Sequence, residues 1–438
     1  MKNVKTNILN KFEDNSKIFK IKVIIESALI GGIGGLLVSM YRICTSYAQK
    51  VSLYAYDLMS KHFIYTILGI LVFVIIGYIV GYSVEKEPMI SGSGIPQIEG
   101  CLKGKLNIIN SFKILISKFI NGVLAMGAGL SLGIEGPSIQ LAASFAHGIS
   151  SKLKLDKLER MYLYSSGAGA GLAAAFNAPF AGVMFVLEEV HKSFSPMLFA
   201  TSIAACVSSD LVTWIFFGEK HILKVDKLID IPPKYYILLV GLGIVIGFCG
   251  VIYNKGLLKT IDIFSNINWK TRYKMIISFM AAILFGMCMP QVLGGGDNLI
   301  NNLFSHGLTI RIAIIILATK YIFSLISFAP NTPGGILFPI LALGSLVGII
   351  FAKTSIFLVG MNADLINNII MLSMAGMFAS VVRAPITGLI LVFEMSGAFT
   401  QLGPSIVVCG VAYVVANLLN CPPIYDSLLE NKIKIQNK

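Results

Sequence analysis

Residues 177–189 read Asn-Ala-Pro-Phe-Ala-Gly-Val-Met-Phe-Val-Leu-Glu-Glu, and residues 383–395 read Arg-Ala-Pro-Ile-Thr-Gly-Leu-Ile-Leu-Val-Phe-Glu-Met. At an offset of 206, Asn177-Ala178-Pro179 leading through Gly182 and Val186 to Glu188 is copied as Arg383-Ala384-Pro385 leading through Gly388 and Val392 to Glu394. Working outward, Lys118-Phe119-Ile120 stands nineteen residues before Pro137, and Lys320-Tyr321-Ile322 stands the same distance before Pro339. Gly92-Ser93-Gly94 lies 202 residues before Gly294-Gly295-Gly296. Four matches in one order make the chain two copies of one unit. Such repeats in transporters are parallel or inverted, and inverted ones place the substrate at mid-membrane between discontinuous helices.

Composition places both copies in a bilayer. Of 438 residues, 55% are hydrophobic and 13% charged, with mean hydropathy +0.79, whereas a soluble domain carries about 25% charged residues. Residues 63–84, 235–254 and 275–291 are the clearest apolar runs, against the roughly 20 residues a helix needs to cross. The runs around Glu135 and Pro339 are shorter and interrupted by Gly and Pro, which predicts helices of uneven length. Irregular backbone at membrane depth is tolerated only inside protein or along a cavity.

The net charge is +13, and its placement matters more than its size. Lys2, Lys5, Lys11, Lys17, Lys20 and Lys22 crowd the start, and Lys432, Lys434 and Lys438 the end, so both termini read as cytoplasmic. Crossings are then even in number, and two equal halves with an odd count each face opposite ways. The expectation is an all-α polytopic membrane protein with an inverted repeat. It comprises a cytoplasmic basic segment (1–22), a first transmembrane half (23–218), a polar connection (219–234), a second half (235–420) and a short cytoplasmic tail (421–438). The connection carries Lys220, Lys224, Asp226, Lys227, Asp230, Pro232 and Pro233. The long polar stretch ahead of Val23 excludes a cleavable signal, and the absence of a basic stripe with interleaved aromatics excludes nucleic acid as a partner. Seven scattered cysteines without a CxxC pair predict neither a metal site nor a disulfide framework. No cofactor is expected. An enzyme is not expected either, because no HExxH or GK[ST] phosphate loop occurs.

Three motifs carry the chemistry: Ser91-Gly92-Ser93-Gly94-Ile95-Pro96, Gly133-Ile134-Glu135-Gly136-Pro137 and Gly334-Gly335-Ile336-Leu337-Phe338-Pro339. Each is a glycine cluster closed by proline and followed by an apolar run, the pattern of a helix start. Helix starts present unpaired N–H groups and the positive end of the macrodipole, which suits an anion. Three converging starts would hold an anion without a full positive charge, weakly enough to let it leave. Taken singly, each motif is equally a close-packing break, since small residues are enriched between membrane helices.

These three motifs, in this order and with residues 177–189 and 383–395, resemble the CLC family of chloride channels and chloride/proton antiporters, of the prokaryotic type without CBS domains. The resemblance covers residues 34–425. It implies two inverted halves with many tilted, uneven helices, and a homodimer with one pore per subunit in the inner (plasma) membrane. The partners implied are chloride, protons and membrane lipids, with bromide and nitrate also permeating. Ser93 and Tyr425 would donate hydroxyls, and Ile336 and Leu337 backbone N–H groups, to a central anion. Glu135 matches the gating glutamate, which occupies the anion's place when ionised and leaves it when protonated. Glu189 matches the internal proton-transfer glutamate of the antiporters. A helix cap would also account for Ser93, an interfacial aromatic for Tyr425, a dipole-complementing carboxylate for Glu135, and a helix-end pair for Glu188 and Glu189. Lys118 can supply a positive field, or share an architectural role with Lys320. Two departures stand out: Phe338 falls one place later than in many members, leaving Leu337 at the lining position, and Gln97 replaces a glutamate. Ser93 favours chloride, because the plant nitrate exchangers carry proline there. The alternatives are a proton-uncoupled, voltage-gated chloride channel of the same family and, more remotely, a cation-coupled solute transporter. The chain lacks the intramembrane acidic clusters that the last would need.

Overall fold

A computed structural model of the chain describes residues 2–219, 221–225 and 228–436; Met1, Lys220, Asp226, Lys227, Asn437 and Lys438, with their share of the basic termini and of the polar connection, lie outside them. Among the described residues there are seventeen α-helices and no strand. The first half holds α1 (Lys2–Lys61), α2 (Phe63–Lys86), α3 (Ile95–Leu102), α4 (Ser111–Gly127), α5 (Glu135–Lys152), α6 (Lys157–Phe176), α7 (Pro179–Phe185) and α8 (Pro196–Phe217). The second holds α9 (Tyr236–Asn266), α10 (Thr271–Cys288), α11 (Asp297–His306), α12 (Ile310–Phe328), α13 (Leu337–Val359), α14 (Ile366–Val382), α15 (Pro385–Ser396) and α16 (Leu402–Leu418). α17 (Ile424–Gln436) follows without a counterpart.

Among the described residues, eight helices are long and apolar enough to cross a membrane. Three of them, α2, α9 and α10, form over most of the apolar runs read from the sequence. α10 stops at Cys288 rather than running to 291, because Met289 leaves the helical region (φ −147°, ψ 69°) ahead of Pro290, and a proline disfavours helical backbone in the residue before it. α13, with 23 residues, is longer than the short run expected around Pro339; Pro339 sits in its first turn, as the helix-start reading of the third motif requires. The expected boundary at residues 22 and 23 falls inside α1, which continues unbroken through it.

The halves interlock by reciprocal exchange. Gly133 and Gly335, 202 residues apart, form an antiparallel bridge in which each N–H donates to the other's carbonyl at 2.8 Å. Gly92 N–H donates to Asn331 O at 2.9 Å, and its symmetry counterpart Gly294 N–H to Gly129 O at 3.0 Å. The chain therefore enters α5 and α13 from opposite directions, the local signature of an inverted pair. Around this seam pack α5, α6, α13 and α14. α14 is buried along nearly its whole length, while α2 turns most of its surface outward. The Ser165-to-Phe176 run of Ser, Gly, Ala, Leu and Phe lets α6 approach its neighbours closely: a Cβ on Gly171 would stand 2.7 Å from Ile139 Cα of α5. The polar connection is docked, with Leu223 N–H donating to Met395 O and Lys224 N–H to Asn301 Oδ1, both at 2.9 Å.

Candidate functional site

The three glycine loops meet. Gly334 N–H donates to Gly92 O at 3.1 Å, which joins the loop before α13 to the loop before α3, and the Gly133–Gly335 bridge joins both to the loop before α5. Proline lies in the first turn each time: Pro96, Pro137 and Pro339. Only glycine fits two of the junctions. Gly94 has φ +101°, and a Cβ there would fall 2.5 Å from Gln140 Oε1; a Cβ on Gly136 would fall 2.5 Å from Ser93 Oγ and 2.6 Å from Ser93 O. The second contact seats Ser93 directly on the start of α5.

Two buried lysines hold the loop before α3 and its repeat counterpart before α11. Lys118 Nζ donates to the carbonyls of Ile90 and Gly92 at 2.8 and 2.6 Å, and Lys320 Nζ to those of Val292 and Gly294 at 2.9 and 2.6 Å. The match shows the architectural role that Lys118 shares with Lys320: each ties two carbonyls of one loop, and the arrangement is duplicated with the repeat. Glu188 and Glu394 are duplicated as well. Glu188 accepts from Ile386 N–H at 3.1 Å and Thr387 N–H at 2.7 Å, capping α15, while Glu394 accepts from Phe180 N–H at 3.0 Å and Ala181 N–H at 2.7 Å, capping α7. Gln97 donates to Met89 O and Ser91 O at 3.1 and 2.6 Å, so this departure also supports the loop before α3.

Within this scaffold stand polar groups that the protein leaves unsatisfied. Glu135 is fully buried at the start of α5; its Oε1 accepts from Leu337 N–H at 2.6 Å, and its Oε2 has no partner. The carboxylate thus occupies the amide end of α13. Ser93 Oγ and Tyr425 OH are buried without partners. Ile336 is the residue that precedes α13, and the Phe338 ring rests on Phe176, centroids 5.1 Å apart. Burying a hydroxyl without a hydrogen bond costs about 1–3 kcal/mol, so two such groups beside one helix-start cluster mark a place for an acceptor from outside.

Glu189 lies in a π-helical turn, Val186–Val190, following α7, and its Oε1 is buried without a partner. Charges that sequence reasoning missed surround it. Glu99 on α3 is fully buried and pairs with Lys103 at 3.1 Å, while Asp426 on α17 pairs with Lys192 at 2.5 Å and Lys103 at 3.6 Å. The available signal was Glu99 itself, an acid inside the apolar run that follows the first motif. Tyr425 lies within electrostatic reach of Glu135 and Glu189 alike.

Cavities approach the junction from two sides. One of about 380 Å³ is lined by Ser91, Gly92, Ser93, Asn331 and Lys432; another of about 210 Å³ is lined by Arg42, Gly133, Ile134 and Phe338. No cluster of three or more potential metal ligands occurs among the described residues.

Residues 72–417 match the family model described as "Voltage gated chloride channel". The chain is 31% identical over 430 residues to the H(+)/Cl(−) exchange transporter ClcA of Salmonella paratyphi B, covering 95% of this chain and 90% of that one, and equally to its namesake in Salmonella newport. Among solved structures it is similar to a slow cyanobacterial Cl−/H+ antiporter, with TM-score 0.90, 28% identity and coverage of 95% and 99% of the two chains. The fold is shared with a CLC-type fluoride/proton antiporter at TM-score 0.76 and 22% identity, over 92% and 97% of the chains.

Proposed function

The chain belongs to the CLC family of voltage-gated chloride channels and their antiporter relatives, and from that premise we propose that it exchanges chloride for protons across a membrane. The observation that carries the proposal is the Glu135 carboxylate hydrogen-bonded at 2.6 Å to Leu337 N–H, where a helix start would otherwise receive an anion. Ionised, the carboxylate competes with chloride for those amides; protonated, it loses the charge that holds it there. Proton and chloride therefore exclude each other at one place. Ser93 and Tyr425 supply neutral hydroxyls to the chloride that replaces the carboxylate, and Ile336 and Leu337 supply amides. A halide held by dipoles alone is released readily.

Glu189 takes the proton on the far side of this site. A buried carboxylate with an unpartnered oxygen is costly in its charged form, so it carries a proton readily, and Glu99, Lys103, Lys192 and Asp426 connect it to the surface. Ser93 favours chloride as substrate, with bromide and nitrate following. The basic residues Lys17, Lys20 and Lys22 on α1, with Lys432 and Lys434 on α17, support cytoplasmic termini in the inner membrane. We take the unit to be a homodimer surrounded by lipid, one pathway per subunit.

Chloride-gradient-driven proton uptake into liposomes, at clamped potential, tests the proposal. Wild type should move protons uphill, and Glu135→Gln and Glu189→Gln should abolish this while chloride continues to flow. Chloride flux without any proton movement in wild type would make the protein a channel.

A further inference from the structure

Three arginines of the chain have evident work inside the fold: Arg42 is tied to Ala174 O and Asn177 Oδ1, Arg272 to Glu85, and Arg383 to Asn417 Oδ1 and Cys421 O. Arg160 has none. It is half-buried, its Nε is buried without a hydrogen-bond partner, and among the described residues no carboxylate lies within 4.0 Å of it. Arg160 and Lys157 both sit in the first turn of α6, the positive end of a helix dipole, where further positive charge is disfavoured. The acid of that turn, Glu159, is engaged by Lys22 at 2.6 Å. Two cations are thus left without a counter-ion.

Beside them lies a cavity of about 870 Å³, enclosed by the last residues of α3 and α5 and the start of α6, within the range of about 300–1,000 Å³ that small-ligand sites occupy. Lys157, Arg160, His147 and Ser151 line it, with no Asp or Glu among the described residues. The Ser151 hydroxyl is buried and unpartnered, and His147 is oriented by a 2.7 Å hydrogen bond between its Nδ1 and Ser111 Oγ. The rest of the wall is largely apolar, with Leu102, Leu106, Ile108 and Leu158. Leu158 is also exposed, as are Ile109, next to Ile108, and Leu153, two residues beyond Ser151. The cavity shares no residue with the two that approach the glycine-loop junction.

We propose that this cavity is a binding site for a phosphate group carried on an apolar body, with Arg160 as its main contact and Lys157 and Ser151 completing the grip. The planar fork of a guanidinium matches phosphate oxygens in pairs, and such charge-assisted hydrogen bonds are the strong ones. Basic pockets between membrane helices on the cytoplasmic side accept acidic lipid headgroups, and Lys22, paired to Glu159, puts this cavity on the same face as the basic start of α1. The exposed Ile109, Leu153 and Leu158 favour a phospholipid of the surrounding leaflet over a free phosphorylated molecule, since they offer its chains an apolar path out of the cavity. The site stands apart from chloride and proton exchange, and its test needs no transport.

Native mass spectrometry of the full-length protein in detergent provides the test, with phosphatidylglycerol, phosphatidylcholine and glycerol 3-phosphate titrated separately. Wild type should bind phosphatidylglycerol more tightly than phosphatidylcholine. Arg160→Gln should weaken the first about tenfold, Lys157→Gln a few-fold, and Arg160→Lys less than Arg160→Gln, because an ammonium keeps the charge and loses the fork. Lys434→Gln, which removes a charge from an exposed position of α17, should leave it unchanged. Glycerol 3-phosphate bound with the same dependence on Arg160, in place of the lipid, would uphold the phosphate site and assign it to a free phosphorylated molecule. Binding of neither, or phosphatidylglycerol bound equally tightly by wild type, Arg160→Gln and Lys157→Gln, would overturn the inference. If Arg160→Gln fails to fold, Lys157→Gln decides alone, since Lys157 is exposed: undiminished binding of both phosphate compounds overturns the site.

Discussion

Tyr425 and Ser93 spend stability to keep a hydroxyl available. A buried phenol without a partner forfeits about 1–3 kcal/mol, and Tyr425 is fully buried with its OH unpaired. Tyr425→Phe should therefore leave the unfolding midpoint in chloride-free detergent unchanged or a few degrees higher, while chloride affinity by calorimetry falls several-fold. A lower midpoint with intact affinity would give the phenol a structural job instead. Gly136 imposes the opposite constraint. In Gly136→Ala the new methyl would press on the Ser93 hydroxyl and carbonyl, and crowding of this kind costs about 1–3 kcal/mol. Both midpoint and chloride affinity should drop together, measured by the same two methods.

At the scale of helices, the capping glutamates are exchanged between halves, and their loss should show it. Glu188→Ala uncaps α15 and Glu394→Ala uncaps α7. Each should cost about 1 kcal/mol, the usual worth of a cap, read as similar falls in thermal midpoint. One variant markedly more damaging than the other would show that the two caps have diverged in role. The glutamates, the lysine pins and the glycine-proline starts were visible in the sequence because each is a requirement of local backbone, repeated at a fixed offset. Their partners were not visible. Nothing in the spacing around Glu188 says that it reaches Thr387, or that Asp426 closes on Lys192, since these depend on which helix ends meet across the fold. The same limit hid Glu99, whose significance comes from the charges that α17 brings beside it. The end of α10 at Cys288 was misjudged for a smaller reason: apolarity marks what lipid can cover, and this helix stops short of the apolar run that reaches 291.

For the molecule as a whole, the reciprocal bonds mean that neither half is complete alone. The loops before α3, α5, α11 and α13 take backbone partners from the opposite half, and the connection between halves is itself pinned at Leu223 and Lys224. A protease site placed in residues 219–234 should thus be cleavable without loss of chloride flux, the fragments co-purifying, whereas either half expressed alone should aggregate. A half that folded by itself would contradict the interlocked seam. The copies nevertheless differ where it counts. Glu135 corresponds to Leu337, Ser93 to Gly295 and Glu189 to Met395. Two identical inverted halves would form a machine with no inside or outside, working alike from either face. The polarity of this transporter, the fact that it has a front and a back, lies in positions such as these, where two inverted copies of one unit carry different side chains.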